Sequence, residues 1–142
     1  MISVESSVTI ARRVEDVFAF VTDTTNDPQW HKDVIQATKI SEGPIGRGTT
    51  FTVVVKFMGK KEGRWEIVEF EPNRKEVIKV TAKPLSPTLT YRFEQANGGT
   101  LFTRHIDLEP TGFFKIMKGM MRGMMEKRNA GFLANLKGVL ER

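Results

Sequence analysis

Cysteine is absent from this 142-residue chain. Disulfides, thiolate nucleophiles and cysteine-ligated metals are thereby excluded, and the composition fits a reducing interior. No apolar run approaches the roughly 20 residues that a membrane-spanning helix needs, and the opening MISVESSVTIARR has no hydrophobic signal core. The expected location is cytoplasmic. Histidine occurs only at His31 and His105, far apart and outside any HExxH-like pattern, so no metal site is expected. There is no G-x-S-x-G nucleophile turn. P-loop and G-x-G-x-x-G phosphate cradles are missing too, since Gly46-Arg47-Gly48 leads into a strand rather than out of one into a helix. These absences leave no cofactor to expect. Charge of one sign is also scarce: 22 Lys and Arg stand against 17 Asp and Glu, a net +5. The basic clusters at Lys60-Lys61 and from Lys115 to Arg128 lack the exposed aromatics or reading motif of a nucleic-acid binder. They read as solvated surface, and no nucleic acid is expected as a partner.

What is present describes one ordinary globular domain over residues 1–142, with 39% hydrophobic and 27% charged residues and no sign of disorder. Ile2 to Ile10 alternates in the manner of a half-buried strand. Val14 to Val21 has helical spacing, with Glu15 and Asp16 in its first turn. Asp27-Pro28 starts a second helical turn carrying Trp30 and His31. Strands are then predicted at Val34–Ile40, Thr49–Met58, Gly63–Phe70, Glu76–Thr81, Leu89–Gln95 and Leu101–Leu108, separated by turn signals such as Gly59-Lys60, Pro72-Asn73 and Asn97-Gly98-Gly99. Consecutive hairpins of this kind build an antiparallel meander.

The last segment, FFKIMKGMMRGMMEKRNAGFLANLKGVL from Phe113 to Leu140, holds five of the seven methionines. Its apolar spacing of three and four predicts one long amphipathic helix. On a wheel of roughly 100° per residue, Phe113, Met117, Met121, Met124 and Val139 share a face, and Arg128 falls within that arc. Methionine is unbranched and polarizable, so such a face adapts to guests of different shape. The helix must bury it, and the concave face of the sheet is the large surface available. Gly119 and Gly123 cost about 1 kcal/mol each inside a helix; they either permit close packing against another backbone, the favoured reading, or give the helix freedom to bend and open.

The order of these elements, with Pro28-Gln29-Trp30, Gly46-Arg47-Gly48-Thr49 and Gly98-Gly99-Thr100 at its corners, resembles the polyketide cyclase/dehydrase and lipid-transport family of the START-like (helix-grip, SRPBCC) superfamily. The likeness runs from Val4 to about Leu140. It implies an α+β helix-grip fold: a curved antiparallel sheet of six to seven strands around a long C-terminal helix, with two short helices after the first strand. It also implies an elongated apolar cavity between sheet and helix, for lipids, polyketides or similar molecules.

On that frame the expected cavity wall is Phe51, Val53, Trp65, Tyr91, Met117, Met121 and Met124, with Arg128 and Tyr91 as polar anchors. A guanidinium among apolar neighbours needs an anionic partner, either a ligand carboxylate or phosphate or a sheet carboxylate such as Asp107 or Glu69. His105 shares a strand face with Leu101, Thr103 and Asp107. If that face lines the cavity, His105 serves as a general base, and Tyr91 is the other weak catalytic candidate. Three functions follow: binding or transport of a small hydrophobic or amphipathic molecule, a cyclase or dehydratase in the same cavity, and a module whose basic helix contacts a protein or a membrane. The last ranks lowest, because a helix that fills its own sheet has no face to spare.

Overall fold

The computed structural model describes residues 1–142. Seven strands form a single antiparallel sheet: β1 Ile2–Ile10, β2 Val34–Lys39, β3 Thr50–Lys56, β4 Lys60–Glu71, β5 Lys75–Thr81, β6 Thr88–Ala96 and β7 Gly99–Leu108. Their spatial order is β1-β7-β6-β5-β4-β3-β2. Strands β2 to β7 are the predicted meander, and β1 closes it by pairing with β7 from Ile2↔Leu108 to Ile10↔Thr100. Between β1 and β2 lie helix α1, Val14–Thr22, and a 3-10 turn, Thr24–Gln29. The expected helix-grip α+β architecture is therefore the observed one.

Local chemistry explains the corners. Asn97 and Gly98 both take positive φ (48° and 79°), as the tight β6–β7 hairpin requires. Gly99 has a different reason: a Cβ there would lie 2.4 Å from the Ile10 carbonyl oxygen, so only glycine lets β7 start against the end of β1. The 3-10 turn is capped by the Asp23 carboxylate, which accepts from the Thr25 amide at 3.1 Å and its hydroxyl at 2.6 Å.

The C-terminal segment departs from prediction. One continuous helix from Phe113 is expected, but two are observed, α2 at Phe113–Ile116 and α3 at Lys118–Leu140, interrupted at Met117. The two halves of α3 also differ. Phe132, Leu133, Leu136 and Leu140 are buried, packing the second half against the sheet. In the first half only Met121 is buried, while Met120 and Met124 are exposed. Nor do Gly119 and Gly123 serve close packing: a Cβ at either would meet nothing within 4 Å.

Candidate functional site

Alternation along the strands sends Val53 and Val55 of β3, Trp65 of β4, Val80 of β5, Leu89 of β6 and Ile106 of β7 to the concave face. The first half of α3 stands over that face without filling it. Between them lies a cavity of about 550 Å³, and 19 of its 30 lining residues are hydrophobic. Both the size and the apolar character are those of a small-molecule site, typically ~300–1,000 Å³.

The residues expected at the site divide into three groups. Val53, Trp65, Met117, Met121, Met124 and Arg128 all line the cavity. Phe51 and Tyr91 do not: each is fully buried in the core beside it. His105 is placed on the other side of the sheet. Arg104, Ile106 and Leu108 carry the inward face of β7, so His105 points outward, 3.1 Å from a Glu5 carboxylate oxygen and 2.9 Å from Asp107. The Ser3 hydroxyl and the His105 ring hold the Asp107 carboxyl below its usual range, the hydroxyl contributing more. This cluster is a surface network joining β1 to β7, remote from any cavity chemistry.

Arg128 also needs correction. Its partner is neither Asp107 nor Glu69 but Asp33, to which it makes a two-pronged ion pair through Nε and Nη2. Its guanidinium lies 5.9 Å over the Phe132 ring, and the side chain is half-exposed at the cavity edge. Its displacement from the expected centre of the arc follows from the buried face of α3, which is set by Phe132, Leu133 and Leu136 and is rotated from the methionines.

The charged group that does reach the apolar interior is Arg104. It lines the cavity and is only 2% exposed. Its Nε donates to the Tyr91 hydroxyl at 3.3 Å and its Nη1 to Asn129 Oδ1 at 2.7 Å. Aromatic rings of Tyr91, Phe132 and Trp30 lie 5.6, 5.8 and 6.0 Å from its guanidinium carbon. All of these partners are neutral. No carboxylate forms an ion pair with Arg104; the nearest in effect is Asp27, which feels its charge without touching it. His31, stacked on Phe132 at 4.1 Å between ring centres, lines the same end. Burial first, and then Arg104, push its pKa well down, so its imidazole is neutral there. Asn129, His31 and Arg104 make a buried polar end in a mainly apolar chamber, whose other charged lining residues include the paired Asp33 and Arg128 and Lys56, Lys61 and Lys83.

Behind that end lies a row of polar side chains across three strands: Glu76 of β5 pairs in register with Tyr91 of β6, and Tyr91 with Arg104 of β7. Glu76 is 0% exposed, and neither of its carboxyl oxygens, nor those of buried Asp27, has a protein hydrogen-bond partner. Burial drives both carboxyls well above their usual range, and Asp27 adds to the rise at Glu76. A carboxyl with a raised pKa binds its proton more tightly in the native state. Its contribution therefore erodes stability as pH climbs above the ordinary glutamate value of about 4.3. Glu76→Gln, which cannot ionise, is thus expected to gain stability relative to the parent as the pH rises above that value, measured by urea unfolding. A difference that does not vary with pH would show that Glu76 is already ionised in the folded protein across that range.

Comparison with known proteins agrees with the architecture. Residues 1–141 match the model of the family described as polyketide cyclase / dehydrase and lipid transport. No curated protein sequence matches significantly. Among solved structures, the protein TTHA0849 of Thermus thermophilus superposes with a TM-score of 0.82 at 17% identity, covering 97% of this chain and 96% of that one. A START superfamily protein from Mycobacterium smegmatis gives 0.82 at 16% identity, covering 99% and 98%. The Zhui aromatase/cyclase from Streptomyces sp. R1128 gives 0.72 at 16% identity, covering 99% and 93%. At these identities the likeness is one of fold.

Proposed function

We propose that this chain, which belongs to the polyketide cyclase / dehydrase and lipid transport family, binds one amphipathic molecule in the cavity between sheet and helix. Its apolar body lies against Trp65, Val53 and the methionines, and its acidic or strongly accepting head group meets Arg104. The observation that carries this reading is a buried arginine at one end of an apolar chamber, satisfied by neutral groups and paired with no carboxylate. Desolvating a guanidinium is costly unless an anion compensates it, and a carboxylate can take two of its N–H groups at once. Tail burial supplies affinity, and the head-group contact supplies orientation.

The cyclase or dehydratase alternative relied on His105 or Tyr91 as acid or base. With His105 on the outer face and the Tyr91 hydroxyl enclosed against Arg104, neither of those two residues lines the cavity, and the geometry favours binding.

Isothermal titration of the purified protein with dodecanoate and, separately, with dodecan-1-ol tests the proposal. One-to-one binding of both is expected, with the acid tighter by roughly tenfold or more. Binding of neither would overturn the cavity reading, whereas equal binding of both would remove the role of Arg104 and leave an unselective apolar site.

A further inference from the structure

Eight large hydrophobic side chains are exposed in the whole chain, and five lie around one opening. Met58 sits at the tip of the β3–β4 hairpin, where it takes a positive φ of 51°. Phe113 and Ile116 are on α2, and Met120 and Met124 on the first half of α3. Four of the five also line the cavity, Ile116 being the exception, so they ring its mouth. Ile116 is 83% exposed and Met120 71%. A soluble protein seldom gathers such side chains in one patch unless something covers them.

Charge selects what covers them. Lys60 and Lys61 flank Met58, and Lys115 and Lys118 flank Ile116. None of these four lysines takes part in an ion pair. From Pro110 to Met125 there is no acidic residue; Glu126, just beyond, is engaged by Arg122 at 3.2 Å. A second copy of this chain would bring two basic rings together, and like charges at close range oppose that contact. An anionic bilayer meets both features at once: headgroups take the lysines while methionine, phenylalanine and isoleucine enter the acyl boundary.

We propose that the cavity mouth docks on an anionic lipid surface, with α2 and the β3–β4 hairpin tip as the inserted elements. Docked in this way, the cavity opens directly towards the membrane, and an amphipath can pass between bilayer and protein without crossing water. The docking stands on the surface alone and holds whatever the cavity carries.

Flotation with vesicles tests it. The protein is expected to float with vesicles of phosphatidylcholine containing about one third phosphatidylglycerol, to stay behind with phosphatidylcholine alone, and to be released by high salt. Ile116→Glu/Lys118→Glu, two positions that do not line the cavity, is expected to lower vesicle affinity at least tenfold while leaving the dodecan-1-ol titration unchanged. Flotation on neither vesicle, equal flotation on both, or a double variant that floats like the parent would overturn the proposal. So would light scattering that shows a dimer dispersed by the same substitutions, which would assign the patch to self-association.

Discussion

Arg104→Gln is expected to weaken dodecanoate binding by roughly ten- to a hundredfold while changing dodecan-1-ol binding by no more than about threefold. A hydrogen bond to a charged group contributes about 1.5–3 kcal/mol, and each 1.4 kcal/mol is a factor of about ten in affinity. Glutamine keeps a donor within the pocket but loses the charge and the forked geometry that a carboxylate matches. The alcohol serves as its own control for folding, because it uses the same chamber without needing the cation. Equal losses for both probes would mean that Arg104 shapes the cavity through Tyr91 and Asn129 and does not read the head group.

The second large effect is on stability. Leu136 is fully buried in the half of α3 that packs on the sheet, so Leu136→Ala is expected to cost about 2–5 kcal/mol, the range for deleting a buried leucine side chain. Met120→Ala, 16 residues earlier on the same helix, removes an exposed side chain and is expected to change stability by less than about 0.5 kcal/mol. Urea unfolding of the two variants checks the division of α3 into a structural half and a half left open for ligand and surface. Similar costs at both positions would show that the methionine face is packed core after all.

That division explains what the sequence discloses and what it conceals. Strand alternation and turn chemistry place every strand, because Asn97-Gly98 and the inward Phe51, Val53, Val55 series carry period and boundary together. Alternation does not say which face is inward, however. In β7 it offers either Leu101, Thr103 and His105 or Phe102, Arg104 and Ile106. The second set is the more apolar and is the one buried, a signal readable in the sequence. The histidine draws attention to the wrong face. Arg104 is concealed further because a lone arginine among hydrophobics on a strand has nothing in sequence to show that Tyr91 and Asn129 are its partners, 13 and 25 residues away.

The helix carries a similar lesson. A wheel gives relative phase only along an unbroken helix, and the interruption at Met117 has no proline to announce it. Within unbroken α3 the wheel gives the phase of Arg128 but not which arc is buried, so Arg128 is expected inside and is found at the edge, paired to Asp33 across 95 residues. Asp27 and Glu76 leave even less trace, since each is enclosed by packing from elements distant in sequence. The two competing readings of the helix, one that fills its own sheet and one that leaves a face free, describe different parts of it: the second half fills the sheet and the first half does not.

The most direct test of cavity occupancy is a titration of protein labelled with ¹³C at its methionine methyl groups, followed by NMR as dodecanoate is added. Seven methionines report from distinct places. Met117, Met121 and Met125 line the chamber, Met58 and Met120 sit at its mouth, and Met1 lies outside it. The account predicts that Met117, Met121 and Met125 shift together and saturate at one equivalent while Met1 stays fixed. Shifts confined to Met58 and Met120, without saturation at one equivalent, would place the amphipath on the surface and contradict a ligand held within.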